Sequence, residues 1–217
     1  MRARVAGLVL TAASLASAPL AAAPRGFEAA VFSELNRLRA DPAGMIPDLE
    51  DYRDRFDGTL VYGDAGEADF MTREGVAAVD EAMDALDRAP AVPRLATADL
   101  LARAAADHVA AQARSGQVGH MSNGRGPPER VAARGGGRFV GEVITYGHTS
   151  PASVVRQLVV DDGVPNRGHR IEILSARYRY AGVACGAHPK WRTMCVIMLS
   201  ETPDGSAPPP PPRRQAR

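Results

Sequence analysis

The sequence predicts an α+β fold on three observations. Apolar residues recur at three- and four-residue spacing through the first two-thirds of the chain, β-branched and aromatic runs gather near the end, and little apolar periodicity lies between the helical stretches. With 217 residues, 45% of them hydrophobic and 24% charged, the chain can bury one sizeable core and carry appendages. Helices first and a hairpin last is compatible with helices packed on a small sheet, but does not single out one architecture.

Residues 1–23 carry Arg2 and Arg4, an apolar run from Val5 to Leu15, and small residues up to Ala23, the layout of a secretory signal peptide. The run is too short and too rich in Ala and Ser for a stable membrane span. The expected location is therefore secreted or periplasmic. Residues 24–201 are expected to form the domain. Phe27, Val31, Leu35 and Leu38 mark an amphipathic helix over residues 26–40, ended by Asp41-Pro42. From Pro47 to about Glu74 no period is sustained, so residues 50–90 are expected to be an irregular and helical insertion. Within it Val76, Val79, Met83 and Leu86 mark a helical face, and the acids between them read as a solvated side rather than a calcium site.

From Thr97 or Asp99 to Ser115 the alanine-rich run predicts a helix stopped by Gly116, with His108 as a packing histidine. Pro128 to Val131 starts a short helix that the glycines at 135–137 end. Phe139 to Tyr146 reads as a strand carrying Glu142. Ser150-Pro151 opens a helix, with His148 before it expected on a surface loop, and the helix stops at Asp161-Asp162. Tyr178 to Cys185 and Thr193 to Leu199 predict an antiparallel hairpin. Its two cysteines most simply form one disulfide in an exported protein; two free thiols, or a metal site with His188, are the alternatives. Residues 202–217, with five consecutive prolines from Pro208 to Pro212, read as a disordered, extended tail.

The chemistry-bearing residues are His120, Glu142, Asp162 and His169. Gly119, Gly141 and Gly168 each precede one of them, which gives the backbone room to present the side chain. Two imidazoles and two carboxylates can share protons or chelate a divalent metal such as zinc. Gly119-His120, Gly141-Glu142 and Gly168-His169-Arg170 ahead of an Ile-Glu-Ile-Leu run, with Asn36-Arg37-Leu38-Arg39 in the first helix, resemble the CAP superfamily of cysteine-rich secretory, antigen-five and pathogenesis-related proteins. The resemblance is best from about Leu95 to Ser200. Val143 departs from the family's usual Asn, Asp162 stands where many members have a second glutamate, and only two cysteines are present.

That resemblance implies a three-layer α/β/α sandwich, with a small antiparallel sheet between helices and the four residues in a surface cleft. Net charge is +1, and without the leader's two arginines and the tail's net +2 the body is about −3, which offers no footprint for nucleic acid. The first function expected is a secreted ligand-binding or interaction module for a lipid, envelope or protein ligand, with His120 and His169 able to hold the metal. A hydrolase using the same cleft, with Glu142 as base and Ser122 as a candidate nucleophile, is the second; a structural envelope protein is the third.

Overall fold

The computed structural model describes residues 25–63 and 67–208; the leader 1–23 and the proline run beyond Pro208 lie outside them. In chain order the elements are α1 (Arg25–Ala40), α2 (Ile46–Arg53), β1 (Phe56–Asp57), β2 (Leu60–Val61), β3 (Phe70–Met71) and α3 (Val76–Arg88). There follow β4 (Ala96–Thr97), α4 (Asp99–Ser115), α5 (Pro127–Ala133), β5 (Val140–Tyr146), α6 (Pro151–Val160), α7 (Gly168–Ile173), β6 (Tyr180–His188) and β7 (Arg192–Ser200). The main sheet has the order β4-β6-β7-β5, and all its pairs are antiparallel except the two-residue β4 alongside β6.

Strand alternation divides the sheet into two faces. Met194, Val196 and Met198 of β7 join Leu101, Ala104 and Ala105 of α4 and Val131 of α5 in one core. Cys195, Ile197 and Leu199 turn the other way, onto a larger core with α1, α3, α6 and α7 that includes Val31, Leu35, Val79, Leu158 and Ile173. The sheet is thus the middle of three layers, as the α/β/α expectation required. Helix α4 lies hard on β6: a Cβ at Gly182 would stand 2.0 Å from the Ala102 nitrogen.

Two polar side chains of α1 staple the layers. Asn36 pairs with both backbone groups of Leu95 (2.7 and 3.0 Å), and the fully buried Arg39 donates to the carbonyls of Pro93, Ile173, Ser175 and Tyr178. Burial, followed by the charge of Arg179, lowers the Arg39 guanidinium to about 10. Cys185 and Cys195 face each other in the β6–β7 register and form the disulfide, Cα atoms 4.1 Å apart. His188 instead accepts from the Lys190 and Trp191 N–H groups and reaches the Gln117 carbonyl, so the Cys/His metal alternative is overturned.

Two expectations of irregularity are corrected. The stretch after Pro47 holds a helix and a three-stranded ribbon, because Met45, Leu49 and Tyr52 share one buried helical face and Val61 is fully buried. The chain also stays on the domain past Thr202: Gly137 N–H donates to the Asp204 carbonyl, Phe139 N–H to that of Gly205, and Gly205 is buried.

Candidate functional site

β5 is an edge strand, so the cleft it borders receives residues from elements of both helical layers. This cleft, of about 770 Å³, is lined by His120 from the loop after α4, Ile144 and Tyr146 from β5, and Leu158, Val160 and Asp161 from α6 and its end. His169 comes from α7, Phe70 and Met71 from the insertion, Lys190 and Trp191 from the β6–β7 turn, and Arg192 from the start of β7.

Each histidine is paired through Nδ1 with a buried carboxylate. His120 Nδ1 lies 2.9 Å from Glu142 Oε1, and His169 Nδ1 lies 2.6 Å from Asp161 Oδ1. The imidazoles are 49% and 25% exposed, whereas the carboxylates are each 1% exposed. Among the described residues neither Nε2 has a hydrogen-bond partner. The two halves of the site therefore have the same plan: a carboxylate behind, an imidazole in front.

The partner of His169 is Asp161, not Asp162. Helix α6 ends at Val160, and Asp161 caps it in the left-handed region (φ 54, ψ 40), which turns its carboxylate back toward α7. Its second oxygen accepts the His169 N–H at 2.8 Å and so also satisfies a free donor at the start of that helix. Asp162 also lines the cleft, but its carboxylate accepts the N–H groups of Arg73 and Glu74 at 2.7 and 2.8 Å. Glu74 in turn accepts from Gly163 N–H and Arg167, while Arg167 and Arg170 both reach Glu81. Hydrogen bonding lowers Glu74 to about 2, the Arg167 side chain first and Gly163 next. The insertion thus clamps the segment that carries Asp161 and His169.

The His120 half is held from α4, α5 and β5. Arg130, buried at 3% exposure, ion-pairs with Glu142 Oε2 and donates to the carbonyls of His120 (2.8 Å) and Arg125 (3.0 Å). Gly119 takes φ +90, a conformation open to glycine. Its N–H donates to Tyr146 Oη and its carbonyl accepts from the Gln112 side chain and contacts His108 Nε2. Gly141 serves a different need, since a Cβ there would meet Tyr178 Oη at 2.5 Å. Gly168 has an ordinary helical φ of −58 and open space around it, so the expectation that it frees the backbone for His169 does not hold.

His108 is the packing histidine expected, fully buried and bonded to Ser122 Oγ at 2.8 Å; burial, its largest influence, lowers its affinity for a proton. Ser122 is itself buried and does not line the cleft. His148 is not a surface residue: it is buried, lies 3.5 Å from Glu67 Oε2 and meets Phe70 edge-on. Sequence reasoning missed Arg130, Asp161, Glu67 and His148 as site residues, the last two because only long-range contact joins them.

A model of the cysteine-rich secretory protein family, CAP, matches residues 32–199. Among solved structures the chain is similar to an outer surface protein from Borrelia burgdorferi, at 14% identity and a TM-score of 0.42, over 50% of this chain and 77% of that one. It is also similar to an extracellular protein containing a SCP domain from Bacillus anthracis str. Ames, at 19% identity and a TM-score of 0.41, over 50% of this chain and 34% of that one. No curated protein matches the chain. With the family model spanning most of its length, and the fold and paired residues as described, the chain belongs to the cysteine-rich secretory protein (CAP) family.

Proposed function

We propose that the chain is an exported CAP module, secreted or periplasmic, whose cleft binds its ligand at His120 and His169 and takes up a divalent metal such as zinc there. The observation that carries this is the shared plan of the two pairs. A buried carboxylate on Nδ1 orients each ring and leaves Nε2 for a ligand, the arrangement common behind metal-bound histidines. Neutral imidazole nitrogens are donors that zinc accepts, which supports the reading by the chemistry of the two residues. Among the described residues no group of three or more His, Cys, Asp or Glu side chains is placed to hold an ion, so water is left to complete the shell. When bound, the metal supplies a Lewis acid for a ligand oxygen. Glu142 and Asp161 orient the rings, and Arg130 holds Glu142 from behind.

The hydrolase alternative is less well supported. Ser122 and His108 are buried and neither lines the cleft, and the Glu142 side chain is only 1% exposed to water there. A purely structural network does not account for imidazoles open to solvent. Among the described residues no helix is long and apolar enough to cross a membrane. Calorimetric zinc titration of the protein tests the reading. Wild type is expected to bind one ion, and His120→Ala or His169→Ala to weaken binding more than tenfold. Either variant binding as tightly as wild type would contradict the shared site.

A further inference from the structure

The two histidine–carboxylate pairs differ in what stands behind the carboxylate. Asp161 is held by a backbone N–H, that of His169, whereas Glu142 is held by the guanidinium of Arg130. Arg130 is nearly as deeply buried as Glu142, and among the described residues its Nε has no hydrogen-bond partner. A buried guanidinium with an idle donor is costly, so its remaining contacts must account for its position. Those contacts are the Glu142 carboxylate and the carbonyls of His120 and Arg125, which bracket the turn at residues 121–124. Arg130 therefore holds both the carboxylate and the backbone of the histidine that faces it.

From this we infer that Arg130 is a positioning residue that fixes His120 in its Nδ1–H tautomer. Its hold on Oε2 keeps Oε1 aimed at His120 Nδ1, and its hold on the His120 carbonyl keeps the ring within reach of that oxygen. A proton on Nδ1 leaves the lone pair on Nε2, the nitrogen that Glu142 does not engage, on a ring that lines the cleft. An imidazole free in water prefers the opposite tautomer, with the proton on Nε2, and would then present a donor instead of an acceptor. The role of Arg130 is to reverse that preference at His120. His169, held through Asp161 and α7, does not depend on it.

The inference rests on the proposed role of the His120 Nε2 lone pair as the ligand atom, but its test needs no metal. The protein carrying ¹⁵N-labelled histidine is compared with Arg130→Met at a pH where the imidazoles are neutral, and the ring nitrogen shifts give the tautomer ratio. In wild type His120 is expected mainly as Nδ1–H; in Arg130→Met the ratio of Nδ1–H to Nε2–H falls about tenfold or more, the scale of losing a charge-assisted hold. The His169 ratio stays unchanged, which reports that the domain is folded. If the Met variant does not fold, Arg130→Gln repeats the measurement, keeping an amide donor for the loop carbonyls while removing the charge. An unaltered His120 ratio in either folded variant overturns the inference. Zinc binding that fails in wild type while the tautomer responds would sink the metal reading alone; zinc binding with an unresponsive tautomer would sink the role of Arg130 alone.

Discussion

Substituting Glu67 by Gln should release the insertion from α6, and the structure sets the size and pH dependence of the effect. The Glu67 side chain is 4% exposed and accepts from Ser153 Oγ (2.5 Å) and the Thr149 N–H (2.8 Å), with His148 Nδ1 at 3.5 Å. Burial, the largest single influence, pushes the carboxyl up. The contacts with His148, Ser153 and Thr149 together outweigh it and bring the group from 4.5 down to about 2. A folded-state value below the unfolded one means that the carboxylate stabilises the fold fully above about pH 4.5 and loses that contribution as the pH falls toward 2. The interval corresponds to about 3 kcal/mol at most. At pH 7 Glu67→Gln should cost about 1–3 kcal/mol, since the amide loses the charge-assisted part of each bond. At about pH 2.5, where much of the wild-type advantage has gone, the gap should narrow. Urea unfolding followed by the fluorescence of Trp191, the sole tryptophan, measures both. Glu74 titrates over the same range but is common to both proteins and cancels in the difference. A gap that stays constant from pH 7 to 2.5 would refute the account of Glu67.

Adjacent acids should separate cleanly. Asp161→Asn, which retains a residue tolerant of the left-handed cap, is expected to weaken zinc binding about ten- to a hundredfold, as losses behind a metal-bound histidine do; equilibrium titration measures it. Asp162→Asn should leave zinc affinity unchanged and instead cost about 1–2 kcal/mol in urea unfolding, because its carboxylate serves the Arg73 and Glu74 N–H groups. Export predicts a mature chain starting near Ala18 to Pro24 in mass spectra of the secreted or periplasmic fraction. Full-length protein confined to the membrane would contradict it.

What was legible in the sequence was mostly local. The Ser150-Pro151 start, the Gly116 stop and the helix face through Val31 and Leu35 all hold, since short-range chemistry decides them. His120 and Glu142 are also brought together as a pair. The choice between Asp161 and Asp162 was not legible: it depends on one residue entering the left-handed region, and either acid can do so. Arg130 looked like an ordinary helix-start residue, because its partners on β5 and the His120 loop are set by packing. For the insertion a signal was present, in Met45, Leu49 and Tyr52 at four- and three-residue spacing, but α2 is only eight residues long and Pro47 near its start masks the period. Glu67 and His148 carry no signal at all, being 81 residues apart in sequence.

The central claim is that His120 and His169 present Nε2 to one common ligand position. Zinc-soaked crystals measured at the zinc absorption edge test it most directly. The account predicts one anomalous peak in the cleft, about 2.0–2.1 Å from both Nε2 atoms, with Glu142 and Asp161 still on the Nδ1 side. A peak bound to one histidine alone, or none in the cleft, would contradict it.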